Sequence, residues 1–352
     1  MKRGPLQAWP GQVGVAPRGG VTLRRTLTSS ICLFVALLLV IVLVSLIGSE
    51  HLPVGSSLCA LFSAGTQSCG LRQDQFDILF QIRFPRILLG AAVGSSLATA
   101  GAGYQALLRN PLAEPYLLGI SNGAAVGTMI ALVFFASMEW TRPALAFGGA
   151  LLASIVVYQL ARSRAGTSPD RLVLSGVIVT TFLSSAIVFV TTLMDATRIR
   201  SFTFWLLGDL SGGDKTLLPF TIALAIAGTV ALTVNARSLN LLMLGERDAF
   251  DLGVEVNKIR ITVFVIASLL VGSSVAASGS VGYVGLVVPH LSRLSVGSDN
   301  RITIPTASIG GAIFVVIADS IARVIISPRE LPVGAITALI GAPLFIYLLR
   351  RI

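Results

Sequence analysis

Apolar stretches of about twenty residues alternate with short polar breaks along most of the chain, and the breaks carry nearly all of its charge. Ten such stretches run over 27–48, 87–108, 116–135, 143–161, 172–193, 217–236, 260–279, 281–296, 303–325 and 333–349. Most reach the ~20 residues a helix needs to cross ~30 Å of hydrocarbon. The pattern therefore predicts an all-α, polytopic membrane protein with about ten transmembrane helices. The stretch at 281–296 is short, contains Pro289 and follows its predecessor almost directly, which predicts a tilted, broken or partly spanning helix. Residues 1–26 are basic, and the Gly- and Pro-rich part up to residue 20 shows no apolar periodicity. They read as a disordered cytoplasmic tail, with 27–352 as one transmembrane domain. The first stretch is longer than the apolar core of a cleaved signal peptide and reads as a retained signal-anchor helix.

The most telling break is Arg109-Asn-Pro-Leu-Ala-Glu-Pro115. Two prolines this close stop a helix, since each lacks a backbone N–H and restricts its predecessor. Two helices, 90–108 and 116–135, are expected to meet there at a polar corner. Gly90 and Gly94, then Gly119, Gly123 and Gly127, recur every four residues. That spacing puts them on one helix face, where a missing side chain lets backbones approach in lipid.

Composition agrees with the class: 54% of the 352 residues are hydrophobic and 12% charged, with mean hydropathy +0.85. With both termini on one face, that face holds seventeen of the 26 Lys and Arg and the other face nine. The positive-inside rule then puts both termini in the cytoplasm. The formal charge of +10 is spread over short loops, which suits contact with anionic membrane lipid and not nucleic acid.

Reactive side chains are few. His51 and His290 are far apart and no Cys/His spacing could hold zinc or iron, so no protein-ligated metal or other bound cofactor is expected; His290 reads as a capping or packing residue. Cys32 lies in the first apolar stretch, whereas Cys59 and Cys69 share the first outer loop. A disulfide there and two free thiols are both compatible with the sequence. Gly208-Asp-Leu-Ser-Gly-Gly213-Asp214-Lys215-Thr216 imitates a phosphate-binding loop, but Asp214 stands where the lysine should follow the glycine and would repel phosphate. It reads as a turn, and the chain is not expected to hydrolyse ATP.

The long inner break at about 238–258 is different in kind. It sets Glu246, Asp248 and Asp251 in a short helix flanked by Gly245 and Gly253, with Ala249 and Leu252 among its small apolar set. Acidic residues suit a helix N-terminus. Such an amphipathic element fits a groove on a soluble subunit, and its carboxylates disfavour lying on anionic headgroups.

Motifs spread over 81–349 carry a family resemblance. They are Gln81-Ile-Arg83-Phe-Pro85-Arg86; Gly103-Tyr-Gln105 with the 109–115 break; Leu118-Gly-Ile-Ser-Asn-Gly-Ala124; Trp205-Leu-Leu-Gly208; the 239–253 element; Val281-Gly-Tyr-Val-Gly-Leu-Val-Val-Pro289-His290 with Arg293; Ala318-Asp319 with Ala322-Arg323; and Glu330-Leu-Pro332-Val-Gly334. On these the chain resembles the FecCD-type permeases of bacterial iron-siderophore, haem and cobalamin ABC importers, the type II class with ten helices per subunit. It departs from them at Asp209, Ser211 and Asn300, the last standing where a histidine is common before Arg301.

The resemblance implies a multi-pass protein of the bacterial cytoplasmic (inner) membrane that imports a metal chelate, most simply an iron-siderophore. Haem and cobalamin are the alternatives. Its implied partners are two cytoplasmic ATP-binding subunits, where ATP and Mg would bind, an extracytoplasmic substrate-binding protein, and a second permease subunit, identical or related. It implies ATPase coupling through Gly245, Glu246, Ala249, Leu252 and Gly253, docking of the binding protein on Arg83, Arg86 and Arg323, and a cytoplasmic gate at Thr167 and Ser168. The rival from another class is an ion-gradient-driven transporter, for which Asp319, one turn from Arg323, is the candidate acid. A membrane-embedded enzyme lacks paired carboxylates or a metal cluster.

Overall fold

The apolar stretches fold as helices, seen in a computed structural model that describes residues 23–350 except 49, 51, 64, 66–68, 139, 164–165, 212–216 and 328. Most of the basic tail, His51 and the 212–216 part of the phosphate-loop imitation lie outside the described residues. In chain order the helices are α1 (Leu23–Leu46), α2 (Val54–Phe62), α3 (Gln73–Asp77), α4 (Phe84–Leu107), α5 (Ile120–Phe134), α6 (Thr141–Ala161), α7 (Pro169–Thr191) and α8 (Ala196–Leu206). They continue as α9 (Leu217–Val234), α10 (Ala236–Leu244), α11 (Glu246–Asp251), α12 (Val256–Ser278), α13 (Val284–Val296), α14 (Asn300–Val324) and α15 (Val333–Leu349). Seven helical segments are long and apolar enough to cross a membrane, and α5, α13 and α15 are shorter apolar helices. These ten correspond in order to the ten apolar stretches. A two-residue antiparallel ladder, Arg162–Ser163 with Gly166–Thr167, closes the turn between α6 and α7.

α4 is the central helix, packed by α14, α12, α9 and α13. Its small residues decide this. A Cβ on Gly94 would sit 2.1 Å from the Gly311 carbonyl oxygen, and one on Gly311 would sit 2.2 Å from that of Gly94. Backbones of α4 and α14 therefore touch with nothing between them. Gly123 and Gly127 do the same for α5 against α6, with would-be Cβ atoms 2.4 Å from the Gly149 oxygen and 2.0 Å from the Leu145 oxygen. Gly90 has ordinary room, its nearest neighbour being a Leu210 methyl at 3.4 Å.

The expected corner after α4 is corrected in two ways. The helix containing α4 starts earlier than the apolar stretch, because α3 and a π-helical turn (Ile78–Arg83) extend it back to Gln73. The helix after the corner starts later, at Ile120, after a single 3-10 turn over Pro115–Leu118. Gly119 is thus not on the packing face of α5 but joins the two at φ 74°, a left-handed conformation that favours glycine.

α5 has 15 residues and α13 has 13, or about 22 and 20 Å at 1.5 Å per residue, short of the ~30 Å of a bilayer core. Both begin inside the bundle. Gly119 abuts Val179 and Thr180, halfway along α7, and Gly285 abuts Gly101 on α4. The N-termini of two half-helices therefore meet near mid-depth and run toward opposite faces. One face, where α1 begins, is marked by the Arg25 guanidinium donating to the Val296 carbonyl at the end of α13, 3.1 Å. We call it the terminal face and its opposite the distal face. On the distal face Cys59 and Cys69 form a disulfide, Cα atoms 5.9 Å apart, and Cys32 is free and exposed.

Candidate functional site

Chain that leaves a helix inside a membrane must find partners for its backbone. At the mid-depth junction two side chains supply them and a third ties the segments side chain to side chain. Glu114 accepts a hydrogen bond from the Tyr283 N–H, 3.0 Å, at the start of α13. The Tyr116 hydroxyl donates to the Val281 carbonyl and accepts from the Val281 N–H, each 2.9 Å. Ser121, in the first turn of α5, donates to Ser280 at 3.1 Å. Tyr283 itself takes φ 67°, strained for a residue with a Cβ, and its Cβ would lie 2.6 Å from one added to Gly341 of α15. Glu114, Tyr116 and Tyr283 are half-buried and Leu117 is exposed. The junction thus gathers a carboxylate and a phenol onto the backbone where the two half-helices begin.

The distal end of the same bundle holds a compact charge cluster. Arg86 grips Asp319 with Nη2 at 2.8 Å and Nε at 3.0 Å and reaches Glu330 with Nη1 at 2.7 Å. Arg323 closes on the other Asp319 oxygen at 3.2 Å. Arg83 turns the opposite way and donates to the backbone carbonyls of Ser45, in the last turn of α1, and of Glu50 just beyond it. Expected as exposed docking groups, all three arginines are buried, at 4, 9 and 6% exposure for Arg83, Arg86 and Arg323. The correction has a plain cause: Asp319 and Glu330 approach from α14 and the loop before α15, and an arginine near an apolar bundle end pairs inward when carboxylates are at hand. Only the Glu330 side chain, 46% exposed, faces outward.

On the terminal face the 245–253 element folds as the small helix α11, with Gly245 at φ 143° and Gly253 at φ 84° as its hinges. Glu246 is held by Arg260 of α12 at 2.6 Å, with Arg109 at 4.0 Å. α10 is tied to the start of α14 through Asn240, whose Oδ1 accepts from the Asn300 N–H and side chain, 2.9 Å each, and whose Nδ2 donates to Asp299, 2.7 Å. Partial burial opposes the Asp299 charge, but hydrogen bonds from Arg301 and Asn240 outweigh it and hold its carboxyl below the usual range.

Ala249, expected at the subunit contact, is fully buried beneath α11. A short helix can lie flat on the bundle only if the residue beneath is small. The outward apolar residues are Leu252, as expected, with Phe250 and Leu244, which the sequence reading missed; they are 61, 71 and 66% exposed. Three large apolar side chains around the exposed Asp248 and Asp251 form a knob.

Of the expected gate pair, Thr167 is turned inward and Ser168 is half-buried at the start of α7. Thr167 is buried, its carbonyl accepting from Arg260 and its hydroxyl donating to the Tyr158 hydroxyl at 3.4 Å. Ser168 caps α7 by accepting from the Arg171 N–H at 3.4 Å. His290 is buried within α13, and no group of three His, Cys, Asp or Glu residues that could hold a metal occurs among the described residues.

Sequence reasoning missed the Glu114–Tyr283 bond, although a carboxylate between two prolines in an apolar region was a usable signal. It also missed Gln105, which donates to the Gly285 and Leu286 carbonyls at 3.3 and 3.2 Å and accepts from Arg293.

The sequence profile of the FecCD transport family matches residues 36–351. Similar proteins include a cobalamin import system permease protein of Halobacterium salinarum, 41% identical over 281 residues, 80% of this chain and 75% of that protein. A hemin transport system permease protein of Yersinia pestis is 35% identical over 329 residues, 91% and 96% of the two chains. An Fe(3+)-citrate import system permease protein of Bacillus subtilis is 38% identical over 278 residues, 78% and 81%. Among solved structures, one described as an inward-facing conformation of a metal-chelate type ABC transporter aligns with TM-score 0.81 at 30% identity, over 92% of this chain and 99% of that one.

Proposed function

The chain belongs to the FecCD transport family, and we propose that it is the permease through which an ATP-driven importer moves an iron-siderophore into the cytoplasm. It is a multi-pass membrane subunit of a metal-chelate ABC importer, working with separate ATP-binding subunits and a second permease subunit. The observation that carries the transport reading is the pair of half-helices meeting at mid-depth around Glu114, Tyr116 and Tyr283. Broken helices at that depth mark substrate passages, because irregular backbone persists in a membrane only where it is buried in protein or lines a cavity.

Iron is favoured because haemin and ferric citrate, two of the cargoes named for similar proteins, are iron chelates. The cobalamin reading stands second, favoured by the relative from Halobacterium salinarum. A gradient-driven transporter is disfavoured because Asp319 is spent on Arg86 and Arg323 near the distal end. We place the terminal face in the cytoplasm on the excess of Lys and Arg in its loops. The 245–253 knob would then meet an ATP-binding subunit, and the binding protein would dock on the distal face.

Of the three arginines expected to receive the binding protein, Arg86 would be reached first, by exchange: Glu330 swings out and a carboxylate of the binding protein takes its place, with Arg323 behind it on Asp319 and Arg83 turned toward Ser45 and Glu50. The loop 162–168 would close the cytoplasmic end of the passage, through movement of the α7 start that Ser168 caps. Phe250→Arg is expected to abolish copurification of the ATP-binding subunit, since losing a central aromatic from an interface costs about 2 kcal/mol or more. Retained copurification would exclude the knob as the contact. For the cargo, the importer reconstituted with its binding protein should take up a ferric siderophore in an ATP-dependent way. Uptake of cobalamin alone would move the assignment to the second reading.

A further inference from the structure

Along the seam between α6 and α12 runs an apolar groove of about 450 Å³ that opens to the outside of the bundle. Leu151 and Ile155 of α6 and Ile261, Val265 and Leu269 of α12 line it, and Arg162 stands at its terminal-face end. From Leu151 to Arg162 is eleven residues, roughly 16 Å of helix at 1.5 Å per residue. That is about half of the ~30 Å hydrocarbon core, so the groove is one leaflet long. Its charge lies where a headgroup would be. Arg162 is exposed and enters no ion pair among the described residues, whereas its neighbours Lys258 and Arg260 are taken by Glu255 and Glu246.

The same helices supply an internal comparison. Near the distal end, α6 and α12 with α9 enclose a second apolar groove, of about 160 Å³, bordered by Trp140 and Phe220 and lined by no cation. Two grooves thus lie along one seam, one toward each face, and of the two only the terminal-face groove is lined by a guanidinium.

We propose that the α6–α12 groove is a binding site for one anionic phospholipid of the terminal-face leaflet, an acyl chain lying along Leu151–Ile155 and Val265–Leu269 and its phosphate on Arg162. Basic pockets between transmembrane helices hold such headgroups by charge, at about 1 kcal/mol per arginine near the surface, and the groove fixes where the charge acts. The proposal needs only that α6 and α12 cross a bilayer, and it stands whatever chelate is carried.

The test is native mass spectrometry of the full chain released from vesicles of mixed phosphatidylcholine and phosphatidylglycerol. Wild type is expected to retain phosphatidylglycerol over phosphatidylcholine by about fivefold, the factor that the attraction of one arginine for a net-anionic headgroup supplies, since the choline ammonium offsets the phosphate charge of phosphatidylcholine. Arg162→Gln should erase that preference while melting with wild type in pure phosphatidylcholine. Ile155→Trp, which fills the groove with an indole, should lower retention of both lipids, and Leu217→Trp in the distal groove should leave the preference intact. Persistence of the preference in Arg162→Gln, its absence in wild type, or unchanged retention in Ile155→Trp would overturn the site. Early melting of Arg162→Gln in pure phosphatidylcholine would do so too, by giving the residue a role in the fold.

Discussion

Asp319→Ala is expected to lower the unfolding temperature of the purified permease sharply and to reduce the amount recovered from membranes. Asp319 is 2% exposed and is the shared counter-ion of Arg86 and Arg323, both buried. Without it Arg86 keeps only Glu330, and Arg323 keeps no ion pair among the described residues, only the more distant charge of Glu330. Breaking a buried pair by removing one partner costs about 3–5 kcal/mol, since an uncompensated charge stays behind. Glu330→Gln, at the half-exposed end of the same cluster, should cost no more than about 1 kcal/mol. Adding Arg323→Met to Asp319→Ala should restore part of the loss, because the stranded charge goes with it. If Asp319→Ala melted with Glu330→Gln, the buried cluster would not be holding α4 to α14.

That cluster also shows where sequence reading stops. The ten membrane segments were legible because the length of an apolar run is a property of the chain alone. Whether Arg86 faces a partner or the interior depends on Asp319, 233 residues away, and no local pattern carries that distance. Ala249 illustrates a second limit: a small residue in an amphipathic turn suits a partner's groove and the bundle beneath equally well, and only packing decides between them. Glycine spacing was informative where the contact is helix on helix, as at Gly94, Gly123 and Gly127. It misassigned Gly119, because the same residue also serves a left-handed turn. The short run around Pro289 foretold that α13 would span only in part, but the depth at which α5 begins was not legible, since a polar break looks alike on the surface and halfway through a bilayer. Its burial is made tolerable by Tyr116 and Glu114 reaching backbone 165 and 169 residues away.

Glu114→Ala is expected to cut chelate import at least tenfold while leaving insertion and copurification of the ATP-binding subunits intact. Glu114 caps α13 where it begins, and its single bond to the Tyr283 N–H ties the chain before α5 to the start of the opposed half-helix. The positive end of the α13 dipole favours a carboxylate there, by about 0.3–1 kcal/mol at exposed sites and up to ~2 where partly buried. Removing the side chain leaves a backbone donor unpaired at membrane depth, costing about 1–3 kcal/mol, and each 1.4 kcal/mol is about tenfold in an equilibrium. The loss is local, so the surrounding contacts of α4 with α14 and of α5 with α6 should keep the bundle folded. What it removes is the rigid link through which a push on the terminal face would reach both half-helices together. Glu114→Gln keeps an acceptor and loses the charge, so it should fall between wild type and alanine. Tyr116→Phe, which breaks both bonds to Val281, should resemble alanine. In proteoliposomes with the complete importer, ATP hydrolysis should continue in Glu114→Ala while uptake of the chelate fails. Import at the wild-type rate in both Glu114→Ala and Tyr116→Phe would show that the half-helices work without this junction.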